Sequence, residues 1–296
     1  MKRGQRRKAC YGRSTMGDWL SHGEAIDSVS ISDRGFQYGD GLFETIAVRN
    51  GEPRLWRFHM DRLTRGCKAL GIKMPSEDEL CEGLVEALEY SNAPPAHACV
   101  KIIISAGSGL RGYGRAFADS PTVLCRAFLS VPQALDSYRE GIDTVICKTR
   151  LASGSTTAGL KTLNRLDQVL ARSEFAGTDV FEGLTLDAED NIICGTMSNV
   201  FFVNDKSIST PPLDGCGVEG VMRRHVIETL NKQGITVAHQ SYSLSHLEDA
   251  DEVFLSNSQF GVLPIRRCME INWPVGEITQ NVMVFLADNQ VPECRL

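Results

Sequence analysis

Many short apolar segments, separated by turn-forming residues, fill the second half of this sequence and limit the folds that it can adopt. Such segments between Gly, Asn, Asp or Ser predict strands. The predicted strands cover residues 142–151, 181–186, 192–195, 200–203, 235–241 and 252–256, and the predicted helices cover residues 162–175, 221–233 and 277–287. So many short strands with few helices favour an α+β, barrel-like domain over a doubly wound parallel sheet.

The first half of the sequence mixes strand and helix signals. Asn50-Gly51 lies between two apolar segments and predicts a hairpin. Ser76 is predicted to cap a helix, with Glu79 as its capping-box partner. The other predictions are strands or strand-like segments at residues 41–49, 53–58, 99–106 and 122–131 and a helix at residues 59–70. This mixture indicates a small α/β domain.

A chain of 296 residues is long enough for two domains of ordinary size. We expect the small α/β domain at residues 17–131, an interdomain linker at residues 132–139 and a larger pseudo-barrel domain at residues 140–296. Residues 1–16 precede them as a basic leader, which we expect to be disordered.

Charge is unevenly distributed along the chain. The first fifteen residues hold six Lys or Arg and no acid, although the whole chain has a net charge of −6. This segment is a disordered leader, residues upstream of a true start at Met16, or a short arm that contacts nucleic acid. The acidic excess elsewhere argues against a nucleic-acid groove, so we predict no nucleic-acid partner.

The ten cysteines are scattered and none forms a C-x-x-C pair. No apolar run is long enough to span a membrane, and no secretory signal is visible. We therefore expect free thiols and a cytoplasmic location, without a membrane partner. The six histidines do not cluster, and we predict no metal site.

Residues 107–112, Gly-Ser-Gly-Leu-Arg-Gly, fit the G-x-G-x-x-G pattern of dinucleotide-binding loops. Such a loop must open a helix whose N-terminus holds the pyrophosphate. Here another strand is predicted about ten residues later, which leaves no room for a crossover helix. The segment is therefore not a dinucleotide site. It is either a hairpin tip or a loop whose Arg111 and Tyr113 grip an anionic substrate.

Three positions suggest chemistry, although each also has an ordinary explanation. Lys161 follows a Gly/Ser/Thr-rich loop, where an amine that is partly desolvated acquires the lowered pKa that imine chemistry requires. Residues 217–224 form a glycine-bounded turn into a helix, whose first N–H groups are suited to a phosphate. The ordinary explanation for Arg62 and Lys161 is that both are solvated charges on the surface. The residues alone leave these alternatives open.

Four motifs carry a resemblance to a known family. They are Y-G-D-G-L-F-E-T, S-G-L-R-G-Y, G-L-K-T-L-N-R-L-D-Q-V-L and G-T-M-S-N-V-F, in that order along the chain. The sequence from about residue 17 to residue 264 resembles the class IV (fold-type IV) pyridoxal 5′-phosphate (PLP) enzymes. This class includes branched-chain aminotransferases, D-amino acid aminotransferases and 4-amino-4-deoxychorismate lyases, and the motifs are most similar to those of the lyases.

The resemblance implies PLP as cofactor, a homodimer and a small anionic substrate. Lys161 is implied as the Schiff-base lysine and catalytic residue. The implied cofactor-binding residues also include Arg62, Val221, Met222 and Ser258, with Val221 and Met222 binding the phosphate through backbone N–H groups. The implied substrate-binding residues are Tyr38, Arg111 and Tyr113.

One position departs from the family pattern. Cys194 stands where the resemblance implies a glutamate that pairs with the pyridine nitrogen of PLP. The expected activity is conversion of 4-amino-4-deoxychorismate to 4-aminobenzoate and pyruvate, in folate synthesis. An aminotransferase of the same class is the first alternative. A non-catalytic homologue is the second, and Cys194 is the feature that favours it.

Overall fold

The computed structural model describes residues 19–91, 96–115 and 120–295 of the chain. The predicted leader, residues 1–16, lies outside this part. The described residues form two β-sheets with helices packed on them, so the predicted α+β fold class is confirmed. Within those ranges, no helix is long and apolar enough to cross a membrane.

Six strands of the described chain form the first sheet. They are β1 (Trp19–Ser21), β2 (Glu24–Ile26), β3 (Gly41–Arg49), β4 (Glu52–Pro53), β5 (His97–Ser105) and β6 (Thr122–Leu129). Their order is β2-β1-β6-β5-β3-β4, and all pairs are antiparallel. Ile46 and Val48 of β3 are buried in the core, whereas Phe43 and Thr45 lie on the opposite face and line a cavity. Because successive side chains of β3 point to opposite faces of the sheet, one face packs in the core and the other lines the cavity.

Three helices lie in the described part of this half of the chain. They are α1 (Arg34–Tyr38), α2 (Trp56–Leu70) and α3 (Glu77–Ser91). Ser76 Oγ accepts a hydrogen bond from the Glu79 backbone N–H at 3.1 Å, so the predicted helix cap is confirmed. The predicted strand-like segment at residues 53–58 is wrong beyond Pro53, because Leu55 has a left-handed φ of 54° that turns the chain into α2.

The second sheet has ten strands among the described residues. They are β7 (Ile142–Arg150), β8 (Glu182–Leu186), β9 (Asn191–Gly195), β10 (Asn199–Asn204), β11 (Ser207–Thr210), β12 (Val237–His239), β13 (Tyr242–Ser243), β14 (Glu252–Asn257), β15 (Gly261–Cys268) and β16 (Ile271–Asn272). The order is β12-β11-β10-β14-β15-β7-β8-β9-β13, with β16 on β15. Its core includes the Phe201 and Phe254 rings, which stack with centroids 4.8 Å apart.

The remaining helices surround this sheet. They are α4 (Leu135–Arg139), α5 (Leu166–Ser173), α6 (Val221–Lys232), α7 (Glu277–Ala287) and the 3-10 helices Leu244–Asp249 and Pro292–Cys294. The predicted linker at residues 132–139 thus contains α4, whose Tyr138 is buried and donates to the Phe260 carbonyl at 2.9 Å. The two sheets draw on residues 19–129 and 142–272, and the domain boundaries themselves stay a prediction.

A buried ionic cluster joins the two sheets. The guanidinium groups of Arg49 and Arg54, near the β3–β4 turn, both bind the carboxylate of Glu293. Arg49 also donates to the Gln259 carbonyl at 2.9 Å. Because Gln259 lines the cavity between the sheets, this cluster fixes one wall of the cavity.

Candidate active site

The cavity between the two sheets has a volume of about 490 Å³. All six residues that the sequence predicted to bind the cofactor line it: Arg62, Lys161, Cys194, Val221, Met222 and Ser258. Arg165 lines it too, and among the described residues no Asp or Glu does. The cavity is therefore suited to an anionic molecule.

The backbone around Lys161 is held against β3. The Phe43 N–H donates to the Lys161 carbonyl at 3.1 Å, and the Leu163 N–H donates to the Gly41 carbonyl at 2.9 Å. This pairing keeps residues 161–163 extended, so the predicted helix at residues 162–175 is wrong at its start and α5 begins at Leu166. The side chain of Lys161 therefore enters the cavity from a fixed strand-like segment, with Nζ 4.2 Å from the centre of the Phe43 ring.

The amine of Lys161 is tuned towards its neutral form. Burial is the main cause of a lowered pKa, and the nearby positive charge of Arg62 adds to the effect. Glu44 opposes the shift, and the resulting pKa of Lys161 is about 7. A large fraction of the amine is thus unprotonated near neutral pH, which a nucleophile or a proton acceptor requires.

Arg62 on α2 is positioned by Glu44 on β3. Arg62 donates from Nε to Glu44 Oε1 at 2.8 Å and from Nη2 to Glu44 Oε2 at 2.5 Å. Its Nη1 donates to the Glu219 carbonyl at 2.9 Å, which ties α2 to the turn before α6. Burial alone would raise the pKa of Glu44, but the adjacent guanidinium holds it at about 2. Glu44 therefore stays ionised and keeps Arg62 in place.

The N-terminus of α6 opens onto the cavity. Its N-cap, Gly220, offers no side chain to bond the first N–H groups, which belong to Val221 and Met222. Asn199 shapes this turn, because its Oδ1 accepts from the Gly220 N–H at 3.1 Å and its Nδ2 donates to the Val218 carbonyl at 2.9 Å. A Cβ on Gly220 would lie 2.0 Å from Asn199 Oδ1, so the turn needs glycine. The result is a helix terminus suited to phosphate.

Two serines on or next to β14 also face the cavity. Ser258 Oγ donates to the Thr45 carbonyl at 3.1 Å, which leaves its lone pairs free to accept. Ser256 Oγ is buried and has no hydrogen-bond partner in the part of the chain that the structure describes. A buried hydroxyl without a partner is costly, so a ligand oxygen would satisfy it.

Cys194 on β9 is buried among apolar residues, and burial raises the pKa of its thiol to about 12. A neutral thiol therefore lines the cavity. The nearby buried carboxylate of Glu182 serves another purpose, since it accepts bonds from Ser198 Oγ at 2.9 Å and from the Met197 N–H at 3.2 Å. Glu182 thus shapes the loop at residues 195–198, which lines the cavity.

The three predicted substrate-binding residues lie elsewhere. Tyr38 and Tyr113 contact each other with ring centres 5.5 Å apart and line a separate open groove. Arg34 holds the loop that follows Arg111 by donating to the carbonyls of Gly112, Tyr113 and Gly114. Tyr113 is 87% exposed, and neither tyrosine nor Arg111 lines the Lys161 cavity of the same chain.

Several residues of the site escaped prediction from the sequence. Phe43 and Thr45 line the cavity, and the alternation of β3 was the signal that could have found them. Glu44 and Glu182 are buried acids within apolar strands, which is a signal for an internal charge partner. Arg165 follows Lys161 by four residues, but nothing in the sequence distinguished it from a surface cation.

The chain matches the class IV amino-transferase family over residues 41–268, and it belongs to this family. It is 35% identical to the aminodeoxychorismate lyase of Vibrio harveyi, over 86% of this chain and 94% of that protein. It superimposes on the 4-amino-4-deoxychorismate lyase of Pseudomonas aeruginosa with a TM-score of 0.84 and 39% identity, over 92% and 98% of the two chains. For the branched-chain aminotransferase of Escherichia coli, the TM-score is 0.80 and the identity 26%, over 94% and 96%. The predicted family and fold type are confirmed.

Enzymes of this family use PLP, and the cavity fits that cofactor. An aldehyde needs an unprotonated amine, which the lowered pKa of Lys161 provides. A phosphate ester needs a cation and free N–H groups, which Arg62 and the start of α6 provide. The unsatisfied hydroxyl of Ser256 adds a further donor.

Proposed function

We propose that this protein is a PLP-dependent lyase that converts 4-amino-4-deoxychorismate to 4-aminobenzoate and pyruvate. The observation that carries the proposal is the Lys161 cavity, which combines an amine of pKa about 7 with cationic and neutral polar groups. The likeness to the lyases of V. harveyi and P. aeruginosa supports this activity over that of the aminotransferases.

Each predicted cofactor residue receives a role in this proposal. Arg62, the N–H groups of Val221 and Met222, and Ser258 would hold the phosphate, while Lys161 would bind the aldehyde carbon. Cys194 would be the neutral group offered to the ring nitrogen. When bound, PLP supplies the electron sink for the carbon that carries the substrate amine.

Lys161 also moves a proton in the proposed reaction. Once the substrate amine has taken the place of Lys161 on the cofactor, the freed Nζ would remove the proton from the amine-bearing carbon of the substrate, which a pKa near 7 permits at neutral pH. The carbon–oxygen bond to the enolpyruvyl group then breaks, and the ring becomes aromatic as 4-aminobenzoate. The departing enol takes up a proton at carbon and becomes pyruvate, so the products together have the atoms of the substrate.

We propose that a second copy of the chain completes the site. Apolar side chains around the exposed loop and α1 are open to solvent, with Phe36 73% and Leu110 65% exposed. Such a patch is typical of an interface. In a homodimer, Tyr38, Arg111 and Tyr113 would bind the anionic substrate in the partner's cavity. We also propose a cytoplasmic location, where free thiols stay reduced.

Mixed dimers test this arrangement. Lys161→Ala and Arg111→Ala should each be inactive, and a mixture whose subunits have exchanged should regain activity, since one cavity then has both residues. An unexchanged mixture is the control. Failure of exchanged dimers to regain activity would mean that Arg111 does not act across the interface.

The aminotransferase alternative is supported by the fold shared with the E. coli enzyme. The non-catalytic alternative is supported by Cys194, because a buried neutral thiol cannot hold a proton on the ring nitrogen by charge. Assays of purified, PLP-loaded protein distinguish the lyase from the aminotransferase and from the non-catalytic homologue. Incubation with aminodeoxychorismate should release 4-aminobenzoate and pyruvate in equal amounts, and Lys161→Ala should release neither. Transamination of D- or L-amino acids without lyase turnover would favour the first alternative, and no turnover at all would favour the second.

A further inference from the structure

Arg165 is a cation of the cavity whose N–H groups are mostly left without acceptors by the described chain. Its Nη2 donates to Thr162 Oγ1 at 2.9 Å, and its buried Nε has no acceptor among the residues that the structure describes. The charge of Asp167, the acid nearest in sequence, partly opposes the lowering of the Arg165 pKa by burial, but Asp167 accepts from the Ala152 N–H at 3.4 Å and not from Arg165. A guanidinium has five N–H donors, and the described residues supply one acceptor for them, Thr162 Oγ1.

Arg62 and Arg165 differ in whether a carboxylate of the protein pairs with the guanidinium. Arg62 is matched by the carboxylate of Glu44, so its charge is balanced before any ligand binds. Arg165 lines the same cavity, where no described carboxylate is present to match it. A buried donor without an acceptor is costly to the fold, and a charged one more so. A ligand with an anionic oxygen would remove that cost.

Arg165 lies in a different part of the cavity from the proposed phosphate site at the start of α6. It lies at the N-cap of α5, four residues after Lys161, and its charge contributes to the lowered pKa of Lys161. The Cys194 side chain is close enough to influence the pKa of Arg165 in turn. Both guanidinium groups are near the amine of Lys161, but Arg165 is also near the thiol of Cys194, whereas Arg62 donates to the Glu219 carbonyl in the turn that leads into α6.

We propose that Arg165 binds an anionic oxygen of the molecules that fill the Lys161 cavity, at a subsite distinct from the phosphate site. This inference rests on the proposed function, which gives two sources for that oxygen. One is the phenolic oxygen of PLP, and the other is a carboxylate of the substrate or product. Both would accept charge-assisted hydrogen bonds from the free N–H groups of the guanidinium.

The test compares Arg165→Gln with the wild type and with Arg150→Gln. Arg150 is a matched control, since it binds Asp190 at 2.6 Å at the surface, away from the cavity. The first readout is the pH titration of the visible absorption of the PLP-loaded protein without substrate. If the phenolic oxygen is the ligand, loss of the charge should move the midpoint by about 1–3 pH units. The second readout is the affinity for 4-aminobenzoate by calorimetry, which should fall roughly tenfold to hundredfold if a carboxylate is the ligand.

A change in either readout supports the proposal and identifies the oxygen, and a change in both means that the guanidinium serves both molecules. Two unchanged readouts in a folded, PLP-loaded variant would overturn it. If Arg165→Gln does not fold, Arg165→Lys undergoes the same measurements. Wild-type protein that retains PLP but binds no 4-aminobenzoate would contradict the lyase activity instead. In that case the pH titration of the visible absorption alone would decide whether Arg165 binds the phenolic oxygen of PLP.

Discussion

Glu44 and Arg62 form a buried pair with two hydrogen bonds, although they lie on different elements and eighteen positions apart in sequence. Glu44 Oε2, which accepts from Arg62 Nη2, also contacts His59 Nδ1 at 2.6 Å, so one carboxylate orders two residues of α2. The arginine proposed to bind phosphate is therefore held in place before the cofactor arrives. Such preorganisation lowers the cost of binding.

Replacement of Glu44 by Gln should destabilise the protein by about 3–5 kcal/mol, because it leaves the Arg62 charge buried without its partner. The pH dependence gives a second signature. Glu44 has its pKa lowered from 4.5 to about 2, so its contribution is present above pH 4.5 and is lost as the pH falls towards 2. Urea unfolding from pH 6 to pH 3 should show a steeper loss of stability in the wild type than in Glu44→Gln. Parallel curves would show that Glu44 does not stabilise the fold through its charge.

Arg62→Lys should weaken PLP retention much more than it weakens the fold. Lysine keeps the charge but cannot bind Glu44 and a phosphate oxygen through a planar fork. We expect a roughly tenfold or greater rise in the dissociation constant of PLP, measured by dialysis and absorption. Arg57→Lys is the matched control, since Arg57 is on the same helix but its side chain is 82% exposed. Equal PLP affinity in both variants would mean that Arg62 does not bind the phosphate.

Borohydride reduction of PLP-loaded protein, followed by peptide mapping, should place the phosphopyridoxyl group on Lys161. The lowered pKa also predicts an effect on the protein without PLP. A lysine with its pKa lowered from 10.5 to about 7 destabilises the fold below pH 7, and this cost disappears as the pH rises to 10.5. Lys161→Met should therefore be more stable than the wild type at pH 6, by on the order of 3 kcal/mol after allowance for partial solvation, with the difference closing by pH 10. A modified lysine elsewhere, or a stability difference independent of pH, would argue against the assignment.

The sequence predicted the cofactor half of the site better than the substrate half. Lys161, Arg62 and the start of α6 were predicted from motif resemblance, and the structure brings them to one cavity. The extended backbone at residues 161–163 was not predicted, because it depends on pairing with β3, more than a hundred residues earlier. Local helical periodicity has no information about such a partner.

The placement of Tyr38 and Tyr113 shows a different limit. Motif order placed them in the site, but within one chain they line another groove. Motifs report which residues occur together in a family and not which copy of the chain uses them. Arg165 escaped for a further reason, since the lack of an acceptor for a side chain is a property of the folded surroundings.

Cys194 gives the prediction that bears most directly on the type of reaction. We expect the neutral thiol to favour elimination over transamination, because it cannot stabilise a protonated ring nitrogen by charge. Cys194→Glu should therefore gain side transamination of D- or L-amino acids, while the wild type turns over as a lyase. A glutamate at this position must extend into the cavity that Cys194 lines, since its other neighbours form an apolar cluster, and repacking there costs about 1–3 kcal/mol. Cys194→Ser, which is small and neutral, is the control and should keep the lyase activity without that gain.

Both variants are first checked for PLP content and thermal unfolding, so that a packing defect is not mistaken for a change in chemistry. The decisive measurement is the ratio of 4-aminobenzoate release to transamination in the same preparation. We expect this ratio to fall in Cys194→Glu and to stay near the wild-type value in Cys194→Ser. If the wild type is inert and Cys194→Glu alone releases 4-aminobenzoate, the thiol is a damaging substitution and does not select the reaction. The non-catalytic alternative would then describe this chain, since the cavity would retain every group that holds PLP but lack the one that activates it.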